Sequence, residues 1–292
     1  MAEKRGLPVC SAVIAKNILG IIYNIYDQAL RSIQKDIQSI YDNYSTKGVL
    51  TLADLKIALT PSERRKFLAK ANKLAKLSGI DLSKVYDERY LRRLSRLEAL
   101  KQQVKYEILA IAPREESISK FAYEEIIRTS YEKVQKALEQ QGVDMAFSKL
   151  NKQVLNQILK SKFYGSNYSQ HIYSNVKDFS KELQEILGSS LSTGKSYAKT
   201  SKIIQDRFKV SKSNATRLVR TETSYFHNQA ELQSYIDDGI EEYEYDAHLD
   251  GRTSQICRDL NRHKFKVKNA QTGENYPPMH PHCRSTTQVI LK

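Results

Sequence analysis

"EEYEYDAHLD", residues 241–250, is where the chain changes character. Tyr243, Tyr245, Ala247 and Leu249 fall on one side of an extended backbone, and Glu242, Glu244, Asp246, His248 and Asp250 on the other. A period of two marks a half-buried strand, because successive side chains point to opposite faces. The sequence upstream instead has apolar residues every three or four positions, the spacing of amphipathic helices. The stretch therefore divides a long helical region from a small α+β unit. The fold class is mainly α, a long helical N-terminal region followed by a C-terminal unit with a short antiparallel sheet.

Downstream, Asp250-Gly251 is a turn signal, "HKFKV" (263–267) reads as a second strand and "TTQVIL" (286–291) as a third. Between them lies "PPMHPHCRS" (277–285), with half of the chain's 6 prolines. Immediately upstream, "KVSKSNATRLVRTETSYFHNQAELQSYIDDG" (209–239) predicts a helix that starts near Ser213 and stops at Gly239, a good C-terminal glycine.

Further upstream, Ile18, Ile22, Ile25, Ala29, Ile33, Ile37 and Ile40 form one stripe of a long helix over 13–44. Thr60-Pro61-Ser62-Glu63 predicts a helix start, with Thr60 as N-cap, Pro61 at the first position and Glu63 closing a capping box. Pro113 is expected to end the first helical block. A second block is predicted over 117–187, interrupted at 140–144 and 163–170. The organisation expected along the chain is thus a helical region (1–113), a second helical region (114–198) and an α+β core (199–292). "GSSLSTGKS" (188–196) ends like a phosphate-binding loop, but that motif needs a glycine at position 189, where Ser189 stands. It is read as a connection between helices.

The chain has 292 residues, 47 Lys and Arg against 33 Asp and Glu, and a formal charge of +14. Such an excess attracts polyanions, nucleic acid above all, by releasing condensed counterions. The cations expected to meet phosphates are Arg64, Arg65, Lys66, Lys70, Lys73, Arg92, Arg93 and Arg96, then Lys195, Lys199, Lys202, Lys209, Lys212, Arg217 and Arg220. The acidic run 237–250 is expected to avoid DNA and to face a protein partner. No apolar run reaches the ~20 residues that span a bilayer, and Lys16 and Asn17 interrupt the opening apolar stretch, so a cleaved signal is not expected. The 3 cysteines, Cys10, Cys257 and Cys283, make no disulfide framework and fit a reducing compartment.

The α+β unit gathers His248, Asp250, Arg252, Thr253, Cys257, His263, His280, His282, Cys283 and Arg284. Several chemistries fit these residue types. Cys257, Cys283 and two of His248, His280 and His282 would make a tetrahedral zinc set, although Cys257 has no close paired ligand. Cys257 or Cys283 beside His280, oriented by Asp250, would make a nucleophile. A histidine or Asp250 with Arg252 on a phosphate would make a nuclease. A metal-free clasp needs only that His280 and Cys283 return to the loop 250–257, with Arg252 or Arg284 forked onto Asp250.

Over about residues 165–288 the sequence resembles the phage head morphogenesis domain, which marks the Mu F-like minor head (minor capsid) proteins of tailed phages. The resemblance rests on Arg220-Thr221-Glu222, Asn228, Asp250 with Arg252-Thr253, Cys257, and Pro278, His280, Pro281, Cys283 and Arg284. It departs from the family pattern at Ser285, where many members have a second cysteine after Cys283-Arg284, and at Tyr245, where a tryptophan is common. The resemblance implies a minor structural protein of the virion interior, in the host cytoplasm during assembly, associated with the portal vertex. Its implied role is head assembly and the packaging or delivery of DNA. The implied partners are the portal protein, double-stranded DNA bound without sequence preference, and scaffold or major capsid protein, with no membrane. No catalysis and no cofactor is expected of such a protein, zinc being the alternative left open. The rival reading is an enzyme, a nuclease or toxin-like effector carried in the virion and using the His/Cys/Asp cluster. Only 8 residues follow Arg284, so no appended effector domain is expected.

Overall fold

The computed structural model describes residues 9–143 and 150–291. The helices are α1 (Val9–Tyr44), α2 (Leu52–Lys56), α3 (Pro61–Leu77), α4 (Glu88–Arg93), α5 (Arg96–Leu109), α6 (Ile111–Gln140), α7 (Lys152–Lys160), α8 (Tyr168–Ser192) and α9 (Tyr197–Asp237). Then come β1 (Glu242–Asp246), α10 (Gln255–Leu260), β2 (Lys264–Lys266) and β3 (Thr286–Ile290). Among the described residues no helix is long and apolar enough to cross a membrane. The opening residues 1–8 and the end of the interruption at 140–144 lie outside the described residues.

The chain packs into two compact units drawn from separated segments: 1–20, 118–170 and 215–292 in one, 21–117 and 171–214 in the other. The boundaries expected after 113 and 198 are consecutive along the chain. Packing divides it differently, because α1, α6, α8 and α9 each supply residues to both units.

In the all-helical unit the α1 stripe is buried from Ile22 to Ile37, with Ile22, Ile33 and Ile37 fully enclosed, and Ile40 is half-buried. Tyr26 sits among Phe179 and Phe208, ring centroids 6.4 and 6.5 Å away. The predicted start at Thr60 is present: its side chain accepts from Glu63 N, and Glu63 returns to Thr60 N at 2.6 Å. Arg96 closes a second contact on Glu63 (3.2 Å) and lies 3.7 Å over the Tyr44 ring. Pro113 does not end a helix. α5 stops at Leu109, and Pro113 falls in the first turn of α6, where a missing N–H breaks no helical bond.

In the sheet-bearing unit, β1 is the centre of the sheet, flanked by β2 and β3 in antiparallel pairing. Tyr243 and Tyr245 are fully buried, as the alternation requires. The strand stops at Asp246, however, and Leu249 is 55% exposed rather than on the buried side. α9 ends as expected: Gly239 has φ +65°, Ile240 N donates to Tyr235 O and Gly239 N to Ile236 O, a Schellman closure. Its start is earlier than the sequence suggests. "KVSKSN" holds no glycine or proline, so nothing breaks the helix there and it runs unbroken from Tyr197.

Candidate functional site

The loop after β1 is shaped by its own side chains. Arg252 N donates to Asp250 Oδ1 (2.8 Å), Asp250 N to Thr253 Oγ1 (2.7 Å), and Thr253 Oγ1 to His248 O (2.6 Å). Asp and Thr commonly organise turns in this way. The loop delivers the chain to Ser254, the N-cap of α10, whose hydroxyl accepts from Cys257 N. Cys257 is thereby fixed in the first turn of α10 with its thiol facing inward, 2% exposed.

The second segment arrives through a tight turn. Cys283 N donates to His280 O at 3.1 Å, Pro281 follows His280, and His282 has φ +61°. Proline at the second position and a positive φ at the third define a type II turn, where glycine or asparagine is usual. The turn places His280 and Cys283 side by side against α10. Cys257 Sγ lies 3.7 Å from Cys283 Sγ and 3.3 Å from His280 Nε2, and Ser254 Oγ lies 2.8 Å from the same Nε2. His280 Nδ1 is 2.8 Å from Pro281 O, so Nδ1 carries the proton and Nε2 presents its lone pair to the Ser254 hydroxyl and the sulfurs. Arg284, next in the chain, reaches back to Asp250 through two contacts of 2.7 Å.

The electrostatics follow from these contacts. Hydrogen bonding from Cys283, helped by Ser254 and Tyr245, pulls the Cys257 thiol down, against the effect of burial. Sharing with Cys257, together with burial, pushes Cys283 up. The Arg284 guanidinium holds Asp250 well below the usual carboxylate range, with the Arg252 N–H and Thr253 assisting. Burial and the nearby charges of Arg220 and Arg217 push His282 down. A pocket of about 900 Å³ opens beside the turn, walled by Lys16, Arg220, Arg252 and Arg284 with His280 and Cys283.

The structure thus brings together Cys257, His280 and Cys283, and separately Asp250, Arg252, Thr253 and Arg284. His248 lies 3.8 Å from Asp250, and neither it nor His282 joins the sulfur cluster. Among the described residues no Cys–His–Asp relay is assembled around Cys257 and His280: His280 Nδ1 faces a carbonyl, Asp250 is engaged by Arg284, and Cys257 is buried. Sequence reasoning missed Ser254, Tyr245 and Lys16. The spacing Ser254-x-x-Cys257, a cap followed by its N3 residue, was the signal for the first of them.

The basic residues divide into three groups. In the helical unit Arg65, Lys66, Lys73, Arg93 and Lys199 are exposed, as are Arg217 and Arg220 in the sheet-bearing unit. Arg64 and Lys195 are half-buried, Lys195 donating to Thr193. The others are occupied by acids. Lys70 meets Asp36 (2.6 Å) and Glu107 (3.0 Å), Lys212 meets Asp27 (2.6 Å), and Arg96 meets Glu63. Lys202 and Lys209 share Asp206 at 3.3 and 3.0 Å, and Arg92 pairs with Glu88 at 3.2 Å. The part-buried Lys70, Lys212 and Arg96 hold the fold, whereas the pairs of Lys202, Lys209 and Arg92 lie at the surface and contribute little to it.

Residues 181–288 match the family model described as phage Mu protein F like protein. The matched segment covers the second half of α8, all of α9, and the sheet as far as Gln288 of β3, with its sulfur cluster and Asp250–Arg284 fork. It is the same family that the motifs between Arg220 and Arg284 resemble. No curated protein and no solved structure matches the chain.

Proposed function

We propose that this chain is a minor head protein of a tailed phage. It lies inside the capsid at the portal vertex and acts in head assembly and in packaging or delivering DNA. The match of residues 181–288 carries the reading. Direct contact with DNA is supported by the charge of +14 and by the exposed Arg65, Lys66, Lys73, Arg93, Lys199, Arg217 and Arg220. None of these seven has an acidic partner within ion-pair distance among the described residues. Such contacts go to phosphates, so they hold DNA without selecting sequence. Portal, scaffold and major capsid protein are the protein partners of this reading.

Two measurements test it. Purified virions, full and emptied of DNA, should contain the chain; its absence from both refutes the head assignment. Affinity for duplexes of unrelated sequence should be similar and should fall steeply from about 50 to 200 mM salt. R65E/K66E/K73E should weaken it equally for every duplex. Affinity indifferent to salt refutes DNA contact.

A further inference from the structure

We infer that Cys257, His280 and Cys283 together bind one Zn2+ ion, which joins the α10 loop to the turn before β3. Among the described residues their donor atoms converge, all within 4.8 Å of one another. Zinc bonds of about 2.3 Å to sulfur and about 2.0 Å to nitrogen, at the tetrahedral angle, put two sulfurs about 3.8 Å apart and sulfur and nitrogen about 3.5 Å apart. The protein holds its sulfurs 3.7 Å apart and Cys257 Sγ 3.3 Å from His280 Nε2. Two of the three donor separations thus already match a tetrahedral ion to within about 0.2 Å, and the third, between Cys283 Sγ and His280 Nε2, lies within 4.8 Å.

The surroundings are also those of a ligand set. A metal-bound imidazole gives its other N–H to a carbonyl or carboxylate, which fixes the tautomer. His280 does so through Nδ1 to Pro281 O. Tyr245 directs its hydroxyl at Cys257 Sγ (3.4 Å), an outer hydrogen bond of the kind that steadies a ligating sulfur. The donors sit on short-range geometry that does not need the ion: the Ser254 cap fixes Cys257, and the type II turn fixes His280 against Cys283. Two thiolates and Zn2+ sum to zero charge, so the neighbouring Arg220, Arg252 and Arg284 do not oppose binding. On binding, the Ser254 hydroxyl yields Nε2 to the metal. Water from the pocket that His280 and Cys283 line takes the fourth corner. The second cysteine common in the family pattern, replaced here by Ser285, is not required for a three-residue set.

The test uses the full chain, produced without a histidine tag and dialysed against zinc and then against metal-free buffer. Elemental analysis should find about one zinc per chain. C257S/C283S and H280A should each lower the content at least tenfold, and H248A and H282A should leave it unchanged. Exchange with Co2+ should give thiolate charge-transfer absorption and the strong visible bands of a tetrahedral ion. If the cysteine variants do not fold, the wild-type chain decides: a strong chelator should lower its Tm and zinc should restore it. A folded wild-type chain without stoichiometric metal, a Tm indifferent to chelator and zinc, or a Cys257–Cys283 disulfide in reducing cytoplasm would each overturn the inference. None of these readouts depends on DNA binding or on presence in virions, so the site and the proposed function stand or fall separately.

Discussion

Arg284 and Asp250, 34 positions apart in sequence, meet through two parallel contacts, Nη1 to Oδ2 and Nη2 to Oδ1, both 2.7 Å. A planar guanidinium matches a carboxylate in this geometry and an ammonium does not. R284K should therefore behave nearly as R284A does, lowering the Tm of the sheet-bearing unit although the charge is kept. A double-mutant cycle with D250N should show coupling, and R284K as stable as wild type would contradict the fork.

The same pair predicts a response to acid. The folded-state pKa of Asp250 is depressed, so its contribution is complete above the ordinary carboxylate range, about pH 4, and is lost as pH falls through the lower folded value. Urea unfolding of wild type and D250N over a pH series should show a stability difference at neutrality that closes on acidification. A constant difference would show that the charge is irrelevant.

Glu222 has the opposite sign. It is 2% exposed on α9, and burial pushes its carboxyl up to about 8. Between about pH 4 and that value the folded chain keeps a proton that the unfolded chain has released, so stability falls as pH rises. E222Q should be more stable at pH 7 by on the order of 2 kcal/mol and should flatten the decline. Equal pH profiles for the two proteins would refute the buried, protonated state.

His282 occupies the left-handed region at the third position of its turn. A side chain there costs about 1 kcal/mol or more, partly offset by the freedom glycine would add to the unfolded chain. H282G should raise stability by about 0.5–1 kcal/mol. A loss of stability would mean that the imidazole contributes to the fold through the pocket wall.

Lys70 separates fold from ligand. Held between Asp36 and Glu107, it should contribute on the order of 2 kcal/mol, lost in K70A, with little change in DNA affinity per folded molecule. R65E/K66E should do the reverse. A K70A protein of full stability and reduced affinity would return Lys70 to the contact surface.

What could be read in the sequence was what neighbouring residues decide. The alternation at 242–246, the Thr60 capping box and the Gly239 stop are each complete within a few positions, and each is present. The family resemblance was carried by short ordered motifs and coincides with the matched segment. Three things depended on distant partners. The spacing of basic residues on α3 and α9 could not show that Asp36, Glu107 and Asp27 lie opposite Lys70 and Lys212. The histidines near the cysteines were equivalent on paper, and only the turn geometry separates His280 from His282. The interleaved units arise because four long helices each serve both, and no local signal marks a helix that changes its company midway.

The type II turn ends at Cys283 and β3 begins at Thr286, so the sulfur cluster and the strand are set in phase by a very short connection. Thr287 uses that phase to face inward, 3.1 Å from the Tyr235 hydroxyl, opposite Tyr245 of β1. One residue inserted between Cys283 and Thr286 would turn every following side chain to the other face, offering Gln288 to the core and Thr287 to water. An insertion near Gly273, between β2 and the proline segment, changes no such parity. The spacing between the cluster and β3 is thus fixed by parity, whereas a change of length on the Gly273 side would act instead on the turn that seats Tyr276.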